Sequence, residues 1–225
     1  MNRSKLRILV VDDHPMVLHG LASAIDAHED LCVVGQAESW RDAMECIRET
    51  RPDVMLLDLN LKDGNGWTLL ENLSAKEELL PTLVLSVNDE LAYGRRLLQA
   101  GAMGYLMKDA PMMEIFAAIR KVAAGELAVS PRLSRELLRH AGGRGRANAK
   151  DELEILSDRE LQVSIFLIEG MTMDEISQRL AISAKTVSTY KGRLMKKLGV
   201  RTTLQLVSAL SELQAKRQEP PVGDG

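Results

Sequence analysis

Between Leu6 and about Gly125 the chain alternates short β-branched or Leu-rich runs with amphipathic stretches. Each pair takes roughly 20 to 25 residues, the rhythm of repeated strand–helix units. The predicted strands are Arg7–Val11, Cys32–Ala37, Val54–Asp58, Thr82–Val87 and Gly104–Met107, bounded by Asp, Pro, Gly or Ser. Uninterrupted apolar runs such as Val54-Met55-Leu56-Leu57 suit central parallel strands covered on both faces. The expectation is a doubly wound α/β domain over residues 1–128, with five parallel strands and five helices. The pattern then changes. A polar helical segment from Pro131 to His140 precedes Gly142-Gly143-Arg144-Gly145-Arg146-Ala147-Asn148, which has no apolar anchor, so residues 129–152 read as a linker with one short helix. From Leu156 the spacing is purely helical. Ser157–Glu160, Thr172–Glu175 and Thr202–Gln205 match the capping box, in which hydroxyl and carboxyl or amide satisfy each other's orphan amides, and Ser183 is a further N-cap. Four short helices are expected over 153–216, a smaller all-α domain, followed by a disordered tail at 217–225.

Composition narrows the class. The 225 residues are 45% hydrophobic and 27% charged, the balance of an ordinary globular protein with one large or two small domains. Apolar runs fall far short of the ~18 residues that span a bilayer. The basic start (Arg3, Lys5, Arg7) meets Asp12-Asp13 after one short strand, unlike a secretory signal, so the protein reads as cytoplasmic with no membrane partner. Cys32 and Cys46 lack metal-ligand spacing and the four histidines do not cluster with them; each Cys is expected to behave as a small buried apolar residue. Charge is divided unevenly. Residues 1–128 carry 13 Lys and Arg against 20 Asp and Glu, residues 129–225 carry 16 against 12, and the two halves are expected to meet different partners.

Asp12 and Asp13 end the first predicted strand and Asp58 the third, so a parallel sheet brings all three carboxylates to the edge where such folds bind ligands. Like charges at about 4 Å repel by roughly 4 kcal/mol at an effective dielectric of 20, so the trio needs a cation. A hard divalent ion, Mg²⁺, is implied. Lys108 and Ser86, at the ends of the fifth and fourth strands, add a fixed positive charge and a hydroxyl donor. Singly, each residue reads as a cap, a surface charge or a loop hydroxyl. Together they suit phosphoryl transfer onto Asp58, with charge on the transferring oxygens neutralised as Asp58 attacks in line.

The runs Ile8-Leu9-Val10-Val11-Asp12-Asp13-His14, Leu56-Leu57-Asp58-Leu59-Asn60-Leu61, Leu85-Ser86 and Tyr105-Leu106-Met107-Lys108-Asp109 resemble the receiver domain of two-component response regulators over about residues 5–127. The resemblance implies a flavodoxin-like fold with Asp58 as phosphoacceptor. It implies Mg²⁺ held by Asp13, Asp58 and the Asn60 carbonyl, with Asp12 helping through water, and Lys108 completing the pocket. Ser86 and Tyr105 would form the switch pair; a static core aromatic is the other reading of Tyr105. Asn60 and Asn88 resemble positions that tune phosphoryl-aspartate lifetime, with ordinary turn residues as the alternative.

Between Ser183 and Arg201 lie Lys185, Lys191, Arg193, Lys196, Lys197 and Arg201 and no acid, which points to a phosphate-facing surface. At 100° per residue Val187, Tyr190, Leu194 and Leu198 share one stripe, and Lys185, Ser188, Thr189, Gly192 and Lys196 the opposite one. With the short helix before it, this is the layout of a helix-turn-helix, whose second helix enters the major groove. Gly192 either permits close approach to DNA or is merely tolerated. The runs Leu156-Ser157-Asp158-Arg159-Glu160, Ser183–Lys191 and Lys197-Leu198-Gly199-Val200 resemble the LuxR-type DNA-binding domain over about 153–213. Joined to a receiver, this is the pattern of NarL/FixJ-type response regulators, with Thr186–Lys191 most similar to the BvgA/EvgA branch. The resemblance implies DNA contacts from Lys185, Thr186, Ser188, Thr189, Lys191, Gly192, Arg193 and Lys196. It also implies a last helix that dimerises, for which Leu206, Val207, Leu210 and Leu213 offer a face unless they are buried within one subunit.

These features describe a regulator rather than an enzyme: a sensor histidine kinase phosphorylates Asp58, and a homodimer binds promoter DNA, with RNA polymerase a further partner. A phosphohydrolase using Asp58 as nucleophile would resemble enzymes with a second Asp two positions on, where this chain has Asn60. A regulator that binds DNA independently of phosphorylation is compatible with the same residues.

Overall fold

A computed structural model of the chain describes residues 5–61, 64–75, 80–141 and 155–218. These fall into two compact units, Met1–Val87 with Gly94–Pro131, and Asn88–Tyr93 with Arg132–Gly225.

In the first unit β1 (Leu6–Val11), α1 (Pro15–Asp26), β2 (Leu31–Ala37), α2 (Trp40–Thr50) and β3 (Val54–Leu57) alternate as the pattern requires. A two-stranded antiparallel hairpin, β4 (Asn60–Leu61) and β5 (Gly64–Asn65), then leads into α3 (Gly66–Ala75), β6 (Thr82–Ser86), α4 (Glu90–Gln99), β7 (Gly104–Met107) and α5 (Met112–Ala123). The predicted five-stranded sheet is extended by a two-residue strand, β8 (Ala128–Val129), paired parallel to β7, giving the order β2-β1-β3-β6-β7-β8. Two residues carry too little pattern to be read from sequence. The central strands are buried on both faces. Ile8, Val10, Leu56, Leu83 and Leu106 pack with Leu18, Leu21 and Ile25 of α1 and Ile115, Phe116 and Ile119 of α5. The intervening Leu9, Val11, Met55 and Leu57 are no less buried, at 0–1% exposure, as alternation along a doubly covered strand requires.

The register fixes the functional edge. Val11 pairs with Leu57 and Leu57 with Val84, so β1 and β3 end level, while β6 and β7 run further along the same edge and end level with each other at Ser86 and Met107. Backbone bonds continue one residue beyond them: Asp12 N–H to Ala37 O at 3.0 Å, Asp58 N–H to Val11 O at 2.9 Å, and Lys108 N–H to Ser86 O at 2.8 Å. Cys32 and Cys46 are only half-buried, a departure from the expected core positions. Burial, with Glu49, Asp42 and Glu45 nearby, pushes the Cys46 thiol up, away from the reactive thiolate.

The second unit takes in Asn88–Tyr93, with the first residues of α4, and α6 (Pro131–Ala141) from Arg132 onward, and is completed by α7 (Asp158–Ile168), α8 (Met173–Arg179), α9 (Ala184–Lys197) and α10 (Thr203–Gln218). Ser157 and Thr172 form complete capping boxes with Glu160 and Glu175, and Ser183 Oγ accepts from the Thr186 amide. Gln205 accepts from the Thr202 amide while the Thr202 hydroxyl accepts from the Gln205 amide, closing the third box. The α8–α9 turn passes through Ala181 at φ 51°, a left-handed residue that reverses the chain tightly. The Gly-rich linker 142–148 and the tail residues 219–225 lie outside the described residues.

Candidate functional site

Asp12, Asp13 and Asp58 are 2%, 8% and 3% exposed. With His14 they place one ligand atom each within 4.8 Å of one another. Lys108 is the charge that makes this tolerable: its Nζ lies 2.6 Å from Asp12 Oδ2 and 2.8 Å from Asp58 Oδ2. Burial works against the Lys108 ammonium, but Asp58 and Asp12 outweigh it and hold its pKa above the ordinary value. Asp58 shows the opposite balance. Burial, opposed by Lys108 and aided by the Asp12 charge, pushes its carboxyl up to about 6. Its Oδ1 is sealed from solvent without a well-formed hydrogen bond.

Ser86 and Tyr105 are both at 0% exposure, on adjacent strands. Tyr105 points inward, the position that both sequence readings of it allow. Asn60, 8% exposed, opens β4 directly beyond the phosphoacceptor candidate. Two contributors were not singled out from sequence. His14 donates its amide to Asp12 Oδ1 at 2.9 Å and sets its Nδ1 2.7 Å from Asp13 Oδ1, so the residue after the acidic pair braces both. Gly66 closes the hairpin after Asp58 through its amide to Leu59 O at 2.9 Å, and a Cβ there would fall on the Asp58 carbonyl oxygen. Only glycine fits. Its signal in the sequence is Gly64-Asn65-Gly66, a turn composition that does not reveal which backbone it must clear.

In the second unit Val187 and Leu194 are fully buried and Tyr190 and Leu198 half-buried, while Lys185, Ser188, Thr189, Gly192, Arg193 and Lys196 are exposed. Thr186 and Lys191 flank that face, half-buried. Arg193 lies over the Tyr190 ring, 5.7 Å from its centroid. Lys197 departs from the six-cation expectation. Its Nζ is taken up by Glu160 and, at 2.8 Å, by the Ile155 carbonyl, tying α9 to the start of α7. Burial opposes the Glu160 charge, but hydrogen bonds from Lys197 and Ser157 prevail and hold the carboxyl below its usual range.

Residues 8–120 match the family model of the response regulator receiver domain, and residues 154–210 that of the bacterial regulatory proteins of the luxR family. The chain is a response regulator of the NarL/FixJ family. It is 38% identical over 222 residues to the DNA-binding transcriptional activator DevR/DosR of Mycobacterium tuberculosis, covering 98% of this chain and 99% of that one. It is 33% identical over 201 residues to the response regulator GacA of Pseudomonas aeruginosa, covering 89% and 93%. Among solved structures, RcsB of Salmonella enterica serovar Typhimurium, bound to promoter P1flhDC in the presence of the phosphomimetic BeF3⁻, superimposes with a TM-score of 0.72 at 27% identity, covering 93% of this chain and all of that one.

This response regulator is therefore a DNA-binding transcriptional regulator of a two-component system, with a receiver domain and a LuxR-type helix-turn-helix. Receiver domains bind Mg²⁺ at an acidic pocket, and the three buried carboxylates here, with the poorly satisfied Asp58 Oδ1, are hard oxygen donors that fit such an ion. In α10, Leu206 and Leu210 are at 0% exposure, so these two leucines of the expected dimer face are spent on the subunit's own core, whereas Leu204 is 81% exposed. Among the described residues no helix is long and apolar enough to cross a membrane.

Proposed function

We propose that Asp58 accepts a phosphoryl group from a cognate sensor histidine kinase, and that the phosphorylated regulator dimerises and binds promoter DNA through α9. The observation that carries this reading is the Lys108 ammonium held between Asp12 and Asp58 beside a buried, under-satisfied Asp58 oxygen. In the transfer the P–N bond of a phosphohistidine breaks and a P–O bond to an Asp58 carboxylate oxygen forms, the imidazole leaving with the bond's electron pair. Asp58 is presented by the end of β3 with its backbone fixed by Val11 O, leaving only side-chain rotation to order. Lys108 faces the developing charge on the phosphoryl oxygens, and Ser86 supplies a hydroxyl donor to them. Asp12, Asp13, Asp58 and the Asn60 carbonyl would hold Mg²⁺, which supplies further neutralisation of phosphoryl charge. Ser86 and Tyr105 are the switch pair, biasing a preexisting two-state receiver.

On DNA, the outer face of α9 enters the major groove. Lys185, Thr186, Ser188, Thr189, Lys191, Gly192, Arg193 and Lys196 contact bases and phosphates there, and RNA polymerase is a partner of the assembled complex. Thr186–Lys191 aligns the chain with the BvgA/EvgA branch. A protein without membrane contacts, working in the cytoplasm, fits these partners.

The test is intact mass and DNA binding after incubation with acetyl phosphate and Mg²⁺, using duplexes selected from a random library by the wild-type protein. A single metal-dependent phosphoryl adduct, absent in Asp58→Asn and accompanied by tighter DNA binding in wild type alone, is expected. No adduct, or equal binding throughout, overturns the switch.

A further inference from the structure

Outside the phosphoacceptor pocket the second unit buries another carboxylate. Asp89 is 1% exposed and lies immediately before α4, three residues after Ser86. Its Oδ1 accepts a hydrogen bond from Arg132, in the first turn of α6, at 3.1 Å. Its Oδ2 is buried without a hydrogen-bond partner. The guanidinium that answers it is not itself sealed, since the Arg132 side chain is 35% exposed. A buried carboxylate half satisfied by one arm of a partly solvated arginine contributes little net stability, because desolvation offsets the Coulomb attraction. It is, however, sensitive to displacement: breaking such a pair leaves an uncompensated buried charge.

Its position in the chain supplies the rest. The segment Asn88–Tyr93 belongs to the same compact unit as Arg132 and everything after it, whereas Ser86 and Val87 belong to the first. The strand that ends in Ser86 therefore runs, through Val87 alone, into the unit that carries α9. Val87 is 59% exposed and so has little packing to absorb a shift of its neighbours. In α6, Leu133 is fully buried next to Arg132, Leu137 is half-buried, and Leu138 is 70% exposed.

We propose that the Arg132–Asp89 pair is a latch that fixes α6 to the start of α4 in the unphosphorylated regulator, and that engagement of Ser86 by the phosphoryl group opens it. The inference rests on the phosphoswitch reading above. Movement of Ser86 toward the phosphoryl oxygens pulls on Val87 and Asn88 and displaces the Asp89 carboxylate. A displacement of about 1 Å takes a 3.1 Å contact out of hydrogen-bond range. The pair is thus made or broken rather than graded, and its loss frees α6, the element through which the chain continues to α7–α10. Latch and phosphoryl group bias one equilibrium, so removing the latch and occupying the pocket favour the same state, reciprocally.

The experiment uses the full-length protein with BeF3⁻ and Mg²⁺ as the phosphoryl mimic and the library-selected duplex as DNA. Arg132→Met removes the charge and keeps the stem; the double variant Asp89→Asn/Arg132→Gln neutralises both partners and guards against unfolding from an unpaired buried acid. Arg139→Met, which breaks the exposed pair with Glu136 on the same helix, is the control. Both latch variants are expected to bind DNA without the mimic about 5- to 150-fold more tightly than wild type, to gain almost nothing on adding it, and to bind BeF3⁻ more tightly by a matching factor. The control should behave as wild type. If both latch variants melt lower yet keep wild-type DNA affinity and the full response to BeF3⁻, the pair is merely structural and the latch is overturned while the phosphoswitch stands. If wild type itself shows no response to BeF3⁻, the phosphoswitch fails and the latch with it.

Discussion

The acidic pocket and the outer surface of α9 both concentrate charge, but they do so in opposite dielectric settings. In the pocket, charges from the ends of β1, β3 and β7 meet nearly out of reach of water, and each alters its neighbours: Asp58 is pushed up to about 6 while Lys108 is held above its ordinary value. On α9 the cations come from one continuous helix, and Lys185, Arg193 and Lys196 are exposed and screened. The first arrangement makes every charge a large, specific influence on its neighbours. The second spreads affinity over several small, interchangeable contributions.

The largest effect that would break this contrast is in the pocket. Lys108→Met leaves Asp12 and Asp58 without their shared cation and is expected to slow acetyl-phosphate labelling by about 10²- to 10³-fold, followed by intact mass; a loss under about tenfold would remove Lys108 from charge neutralisation. Next is the pH dependence of stability in divalent-free buffer. A carboxyl raised from 3.8 to about 6 costs nothing below pH 3.8 and destabilises the fold increasingly as pH rises through about 6. Asp58→Asn should therefore stabilise the protein by at most about 3 kcal/mol at pH 8, with the gain vanishing towards pH 4 in thermal melts. Two glycines sharpen the comparison at smaller cost. Gly66→Ala drives a methyl onto the Asp58 carbonyl and should destabilise by about 1–3 kcal/mol. At Gly192 an added Cβ meets nothing within 4 Å, so Gly192→Ala should stabilise by about 1 kcal/mol, and only if it also weakens DNA binding does that glycine serve close approach. The smallest effect separates neighbouring lysines. Lys196→Met should reduce the slope of log affinity against log salt by about 0.9, whereas Lys197→Met should lower Tm and leave the slope unchanged. With Lys197 withdrawn, five cations of that segment remain, and a slope of about −4.5 per subunit replaces the value of about −5.4 that six would give.

Among the described residues the five long strands, the ten helices and the acids at the strand ends were legible because each rests on local signals: apolar runs, capping boxes, and the rule that parallel strands end at one edge. What escaped depends on partners distant in sequence. Lys197 looks like its neighbour Lys196 until Glu160, 37 positions away, is seen beside it. Asp89 meets Arg132 across 43 positions. Leu206 and Leu210 share a stripe that serves a dimer or a core equally well on paper, and burial within the chain decides it. Gly66 gives no sign of the carbonyl it clears, because hairpin turns and crowded backbones use the same residue.

The gathering of the β1, β3, β6 and β7 ends at one edge of the sheet also governs when the pocket can first form during synthesis of the chain. The residues proposed to hold the phosphoryl group span 12 to 108, so a ribosome must release Lys108 before the pocket is complete, whereas α9 draws its whole outer face from one continuous helix of 14 residues. Nonlocal pairing of this kind is the slow part of assembly. Domains emerge N-terminal first, so the slower, nonlocal assembly of the receiver sheet begins before the local helix of α9 has left the ribosome.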